Sequence, residues 1–188
     1  MQNLQLFPTN VYKDYINENM RLDLLSLCNK YTAETTTNLL HIENFPSTLA
    51  NQELQNNVNN EIVVKMVFNF LFEKVKEISY ANGVTLTQED IRPYGFFSSM
   101  NKGAYLRQHS HKDCKFSGII YLEVGDDVPG LLFHDPRPLA KFTNSQEHQS
   151  LYQVKAENNL LLIWDNWLDH EVLPKSNAQP RKSFTFNL

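Results

Sequence analysis

The hydrophobic pattern of this chain changes its period at Gly83. Before Gly83, apolar residues recur every three to four positions, as on one face of an α-helix. After Gly83 they alternate at every second position, as in a half-buried β-strand, and this continues to the end of the chain. Helices followed by many short strands are typical of the α+β class. The sequence therefore predicts mostly helical support over residues 1–83 and a β-sheet core over residues 84–188.

Two amphipathic helices are predicted in the first part, after a short strand over residues 5–12. A shorter helix covers residues 13–30, and a long one covers residues 47–82. Ser47 or Thr48 can cap the long helix at its start, and Gly83 stands where a C′ glycine belongs. We expect the long helix to be scaffold that packs on a sheet.

The second part predicts a double-sheet jelly roll, also called a double-stranded β-helix, packed against the long helix. Turns rich in Gly, Asn and Pro separate its strands. Residues 137–150 form the longest predicted loop, and their position suits a flap over a site. The length of 188 residues favours a single domain over 1–188. The predicted strands are 84–87, 94–100, 104–111, 116–124, 131–135, 151–156, 159–164, 169–173 and 181–187.

Charge, apolar run length and cysteine content argue against several classes of function. The formal net charge of −4 disfavours a general binder of nucleic acid or of anionic membranes. The longest apolar run, Leu160 to Trp164, is too short to span a bilayer, and the first residues lack the pattern of a signal peptide. Cys28 and Cys114 are too few and too far apart for a disulfide framework, so we expect a cytoplasmic protein.

Three residues with metal-binding side chains follow one another at alternate positions: His109, His111 and Asp113. In a strand they would share one face, because side chains alternate between the two faces. Another histidine, His170, follows much later in the chain. Two neighbouring ligands and one distant histidine are typical of the two-His, one-carboxylate triad that holds Fe(II). The alternatives are a polar sheet face in water and an exposed turn histidine.

A candidate anion anchor stands at the start of the last predicted strand. Arg181 and Ser183 are two positions apart, so their side chains face the same way. Arginine can donate two parallel hydrogen bonds to a carboxylate, and the serine hydroxyl can add a third. The alternative is an arginine on a solvated strand end.

Taken in order along the chain, six motifs resemble the 2-oxoglutarate/Fe(II) oxygenases, specifically a subgroup found in bacteria and marine bacteriophages. They run from residue 6 to residue 187 and are specific only in combination. The motifs are Leu6-Phe7-Pro8-Thr9-Asn10-Val11-Tyr12, Gly103 followed by His109-Ser110-His111, Phe116-Ser117-Gly118-Ile119-Ile120-Tyr121-Leu122, Phe133-His134-Asp135-Pro136-Arg137, Trp167-Leu168-x-His170-x-Val172 and Arg181-x-Ser183-x-x-Phe186-Asn187.

The resemblance implies a jelly-roll fold, Fe(II) as cofactor, and 2-oxoglutarate and O2 as co-substrates. Two metal-ligand sets are compatible with it. The first, which we favour because a carboxylate offsets one charge of Fe(II), is His111, Asp113 and His170. The second set is His109, His111 and His170. If the first set is correct, His109 would instead steady a metal ligand or a bound water. Arg181 and Ser183 would hold the distal carboxylate of 2-oxoglutarate, and Tyr121 could add a hydrogen bond.

The function implied is oxidative decarboxylation of 2-oxoglutarate to succinate and CO2, coupled to hydroxylation of an unidentified substrate. Two alternatives remain: a metal-binding jelly roll without turnover, and a cupin-like enzyme that uses His109, His111 and His170 without a 2-oxo acid. The Asp135-Pro136-Arg137 turn is interpreted as structural, with the substrate entrance as its alternative. The sequence leaves the substrate class and the oligomeric state open, and a homodimer is one of the options.

Overall fold

A computed structural model describes residues 8–35, 45–126, 128–137, 150–174 and 179–188. Within these residues, two antiparallel sheets face each other and helices cover the outer face of the larger sheet. The helices are α1 (Glu18–Ala33), α2 (Gln52–Asn60) and α3 (Ile62–Ala81). None of the described helices is both long and apolar enough to cross a membrane.

The larger sheet has the strand order β1-β7-β4-β9-β2, and the smaller has the order β3-β8-β5-β6. Every pairing between neighbouring strands is antiparallel. This two-sheet arrangement is the predicted jelly roll. The strands are β1 (Val11–Tyr15), β2 (Tyr94–Met100), β3 (Leu106–His109), β4 (Phe116–Glu123), β5 (Pro129–His134), β6 (Leu151–Lys155), β7 (Leu160–Asp165), β8 (His170–Val172) and β9 (Arg181–Asn187).

Strand β9 shows how the larger sheet separates scaffold from site. Phe184 and Phe186 point to the helices and belong to the apolar core there. Arg181 and Ser183 point to the opposite face and line a cavity between the sheets. Because side chains alternate along a strand, every second residue of β9 packs in the core under the helices, and the residues between them face the cavity.

The helix-covered face needs a residue without a side chain at Gly118. A Cβ atom built there would lie 2.1 Å from Cζ of Phe186 and 2.7 Å from the backbone oxygen of Leu162. The ring could shift, but the oxygen belongs to the neighbouring strand and cannot move without breaking the sheet.

We therefore expect Gly118→Ala to lower the free energy of unfolding by about 2 kcal/mol, as overpacking of a core does. Gly125→Ala is the control, because the nearest atom to its added Cβ is Oε1 at the flexible end of the Gln179 side chain. Urea denaturation of both variants measures the difference. Equal stability of the two variants would contradict this account of Gly118.

The long helix predicted over residues 47–82 is divided into α2 and α3. Glu61, with φ −62° and ψ 137°, is extended and separates them. Its carboxylate accepts hydrogen bonds from Tyr31 Oη at 2.6 Å and Lys30 Nζ at 3.0 Å, both on α1. Ser47 caps a short 3-10 turn, and Asn51 caps α2. At the other end Gly83 has φ +76°, as expected of a C′ glycine.

The other predicted elements agree with the structure to different degrees. The bounds of β2 and β9 are those predicted. The shorter helix begins at Glu18 rather than at residue 13, because Asn17 caps it by accepting a hydrogen bond from the Met20 amide. Residues 84–87 are not a strand; Thr87 and Asp90 instead form the cap of a short 3-10 turn. The predicted flap falls mostly on residues 138–149, which lie outside the described residues, as do residues 5–7 of the first predicted strand.

Candidate metal centre and anion pocket

Three histidines meet between the two sheets. Strand β3 pairs with β8 so that His109 stands opposite His170, with 4.3 Å between ring centroids. His111 follows just after β3, where its amide donates to the Asn166 carbonyl oxygen at 2.9 Å. One ligand nitrogen from each of the three lies within 4.8 Å of the other two. Among the described residues, this is the group of His, Cys, Asp and Glu side chains that could hold a metal ion.

Backbone contacts determine the tautomers of two of these rings. His109 Nδ1 lies 2.8 Å from the Arg107 carbonyl oxygen, and His170 Nδ1 lies 2.9 Å from the Leu168 carbonyl oxygen. A carbonyl oxygen only accepts, so each Nδ1 carries the hydrogen. Each Nε2 therefore presents a lone pair, which is the form of imidazole that binds a metal.

The distance between two of the candidate ligand atoms suits one metal ion. His111 Nε2 and His170 Nε2 are 3.3 Å apart. With metal–nitrogen bonds of ~2.1 Å, that separation corresponds to an angle of about 100° at the metal, between the octahedral and tetrahedral values. The donor set, its spacing and its tautomers therefore fit a divalent transition metal.

Burial keeps the rings of His111 and His170 neutral. Desolvation, with a smaller electrostatic contribution from the neighbouring His109, lowers the pKa of His111 to about 4. The same two causes, in the same order, lower the pKa of His170 to about 3. The ring of Trp164 packs edge-on against His170 at 4.9 Å and forms part of the apolar wall. At neutral pH no proton competes with a metal for these two imidazoles.

Asp113, which the sequence placed on the same face as the histidines, is not part of this group. The reason is local: β3 ends at His109, so the alternation of side chains stops there. Asp113 lies in the turn that follows, exposed to solvent, with φ +60°. The structure thus brings together His109, His111 and His170 and leaves Asp113 outside.

Arg181 is a buried cation in the same cavity. Its side chain is 3% exposed, and burial lowers the pKa of its guanidinium. Nη1 donates to the Pro129 carbonyl oxygen at 2.7 Å, Nη2 contacts Met100 Sδ at 2.6 Å, and Nε has no partner among the described residues. No carboxylate of the described residues forms an ion pair with Arg181. An unpaired buried charge is costly, so this position favours an anionic ligand.

The two residues predicted to assist Arg181 occupy different positions. Ser183 is buried and lines the cavity. Tyr121 stands opposite Ser183 in the sheet, and the guanidinium carbon of Arg181 lies 5.8 Å from the centre of its ring. Tyr121 is not among the residues that line the cavity, so its contact is with the arginine.

The cavity that joins the histidines and Arg181 has a volume of about 950 Å³. Several of its wall residues were not identified from the sequence as site residues. Their signal was the alternation along three strands, which turns every second residue inward. These residues are Tyr94 and Phe96 on β2, Thr185 and Asn187 on β9, and Arg107 on β3.

The Asp135-Pro136-Arg137 turn is held by its own side chains. Arg137 donates from Nη2 to Asp135 Oδ2 at 2.6 Å and from Nε to Asp135 Oδ1 at 2.9 Å. These contacts agree with the structural interpretation of the turn.

His134 Nε2 lies 3.2 Å from Glu171 Oε1, beside a second cavity. His41 and His148 lie outside the described residues.

Comparison with known protein families gives a match over residues 96–187, to the family described as "Putative 2OG-Fe(II) oxygenase". The match begins within β2, ends at the last residue of β9, and contains every candidate ligand. The resemblance of the motifs within these residues to the 2-oxoglutarate/Fe(II) oxygenases is therefore confirmed. No curated protein sequence matches the chain.

Several solved structures share the fold. A Pseudomonas putida prolyl-4-hydroxylase superposes with a TM-score of 0.63 at 15% identity, over 96% of this chain and 92% of its own. EvdO2 from Micromonospora carbonacea, complexed with 2-oxoglutarate, gives 0.60 at 12% identity over 95% and 85%. HygX from Streptomyces hygroscopicus, with nickel, 2-oxoglutarate and hygromycin B bound, gives 0.57 at 11% identity over 95% and 83%. At these identities the likeness establishes the jelly-roll fold.

Proposed function

We propose that this chain, whose residues 96–187 match the 2OG-Fe(II) oxygenase family, is an Fe(II)- and 2-oxoglutarate-dependent oxygenase that hydroxylates an organic substrate. We propose further that residues 1–188 form one domain, in which residues 1–83 support the core over 84–188. The observation that carries the function is the buried Arg181, which has no carboxylate partner among the described residues and shares one cavity with three convergent histidines.

The metal would be held by His109, His111 and His170. All three are neutral ligands, so Fe(II) would keep its full charge and attract anionic co-ligands such as a 2-oxo acid. This ligand set replaces the one with Asp113 as our preferred assignment, because the carboxylate lies outside the histidine group. Bound iron would supply the O2 chemistry that converts 2-oxoglutarate to succinate and CO2 and hydroxylates a C–H bond.

The distal carboxylate of 2-oxoglutarate would be held by Arg181 and Ser183. Nε of the guanidinium is free to donate, and the Ser183 side chain lies on the same strand face. Pro129, Met100 and Tyr121 hold the rest of the guanidinium in place. Preorganisation of this kind reduces the entropy lost when the ligand binds.

A second candidate function is an oxygen-using metalloenzyme that needs no 2-oxo acid. The three-histidine group without a carboxylate is the observation that favours it. This second function gives the buried charge of Arg181 no role, whereas a function with a diacid co-substrate gives it a partner. A metal-binding module without turnover leaves the same charge unexplained.

Anaerobic titration of the Fe(II)-loaded protein with 2-oxoglutarate tests the proposal. We expect the weak visible absorption band of an Fe(II) chelate with a 2-oxo acid, and succinate formation once O2 is admitted. Succinate, glutarate and 2-oxobutyrate serve as matched ligands that lack one of the two recognised ends. Bound iron without the band would reject the function in favour of the three-histidine enzyme or the binding module.

A further inference from the structure

The cavity is much larger than 2-oxoglutarate requires. Its volume of about 950 Å³ is at the upper end of the ~300–1,000 Å³ usual for small-molecule sites. A five-carbon diacid occupies only a small part of such a space. The remaining volume must be lined by residues that recognise the substrate, so their chemistry identifies the class of substrate.

Strand register separates the two ends of the cavity floor. Arg181 pairs with Met100 at one end of the β2–β9 pair, and Asn187 pairs with Tyr94 at the other. Six residues along a strand correspond to about 20 Å. A co-substrate anchored at Arg181 therefore cannot fill the end formed by Tyr94 and Asn187.

That far end presents flat apolar surfaces. Tyr94 and Phe96 face it from β2. Aromatic walls favour a flat apolar ligand, because stacked or edge-on rings add to the free energy of burial.

Two polar groups of the cavity wall are hydrogen-bond donors. Asn187 is fully buried, and its Oδ1 accepts from Ser117 Oγ at 2.8 Å, so Nδ2 is turned away from Ser117. Nδ2 makes no hydrogen bond of ordinary length among the described residues and lies beside Tyr94. Arg107 stands at the rim, exposed, two residues before His109.

Acidic side chains are missing from the described part of the wall. The residues that line the cavity include two arginines and three histidines and neither Asp nor Glu. Asp113 acts on Tyr94 electrostatically, but it faces solvent and does not line the cavity. Such a wall repels cations and offers anions several donors.

We propose that the substrate is a small organic anion with a flat apolar body. The body lies against Tyr94 and Phe96, and the acidic group faces Arg107 at the rim. This inference rests on the proposed function, since it assumes that 2-oxoglutarate occupies the Arg181 end.

Four probes of similar size separate charge from shape: phenylacetate, 2-phenylethanol, 2-phenylethylamine and cyclohexylacetate. Each is titrated into full-length Fe(II)-loaded protein under anaerobic conditions with saturating 2-oxoglutarate, which occupies Arg181. Paramagnetic relaxation of the probe's ring protons reports binding near the iron. We expect phenylacetate to bind at least tenfold more tightly than 2-phenylethylamine, and cyclohexylacetate, which is not flat, to bind more weakly than phenylacetate.

Variants locate the acidic group. Arg107→Gln should weaken phenylacetate about fivefold, as expected of one exposed ion pair, and leave 2-phenylethanol unchanged. Lys102→Gln is the matched control, because it removes a positive charge from the loop just before β3 and does not line the cavity. Tyr94→Leu should weaken phenylacetate and 2-phenylethanol alike.

Two outcomes would overturn the inference: an amine that binds as tightly as the acid, and an Arg107→Gln variant that behaves like Lys102→Gln. The visible band of the 2-oxoglutarate complex is recorded in the same samples. If that band is absent, the proposed function is rejected, but the substrate class can still be tested. The affinity for phenylacetate is then measured without 2-oxoglutarate and compared between wild type and Arg107→Gln.

Discussion

His109→Ala is expected to weaken metal binding at least a hundredfold, while Asp113→Asn leaves it within a factor of about three. Structural zinc sites with four ligands bind with ~10–16 kcal/mol, so the loss of one ligand costs about 3 kcal/mol or more. His109 presents a lone pair to the centre of the histidine group, and Asp113 lies outside that group. Competition with a chromophoric chelator, using Zn(II) and anaerobic Fe(II), measures both affinities.

The choice of substitution at position 113 matters. Asp113 has φ +60°, which Asn tolerates better than Ala, so Asn removes the charge without adding backbone strain. Circular dichroism of the metal-free variants shows whether both are folded. A large loss of affinity in Asp113→Asn with little change in His109→Ala would restore the ligand set with the carboxylate and reject the three-histidine set.

Arg181→Met is expected to raise the KM and the Kd for 2-oxoglutarate about a hundredfold. Removing one partner of a buried charged pair costs roughly 2–5 kcal/mol, and the carboxylate would lose its cationic partner inside the cavity. Lys182→Met is the matched control on the same strand, since Lys182 pairs with Glu123 and does not line the cavity. The anaerobic visible band gives the Kd, and succinate production gives the KM.

Stability provides an independent readout of the same substitution. Arg181 is buried without a carboxylate partner among the described residues, so its replacement by an apolar side chain removes an uncompensated charge from the ligand-free protein. The melting temperature without ligand should therefore stay the same or rise, and stabilisation by added 2-oxoglutarate should disappear. Unchanged affinity for 2-oxoglutarate would reject Arg181 as the anchor.

Local sequence patterns determined most of the sheet core. The alternation of apolar and polar residues predicted β2 and β9 with their observed bounds, because a strand buried on one face repeats every two residues whatever its neighbours are. The same alternation placed Arg181 and Ser183 on one strand face, and both line the cavity. His111 and His170 were identified from their spacing, and both belong to the histidine group.

Tertiary contacts decided the features that periodicity does not encode. The long helix is interrupted at Glu61, where two side chains of α1 bind the carboxylate; no pattern in residues 47–82 records that partner. Strand β3 ends at His109 because β8, the strand that pairs with it, is short and begins at His170. Beyond that point the backbone turns toward Asn166, so the alternation that placed Asp113 beside the histidines no longer applies. Which side chain joins His111 and His170 therefore depended on strand pairing across more than 50 residues of chain, and the sequence alone could not decide it.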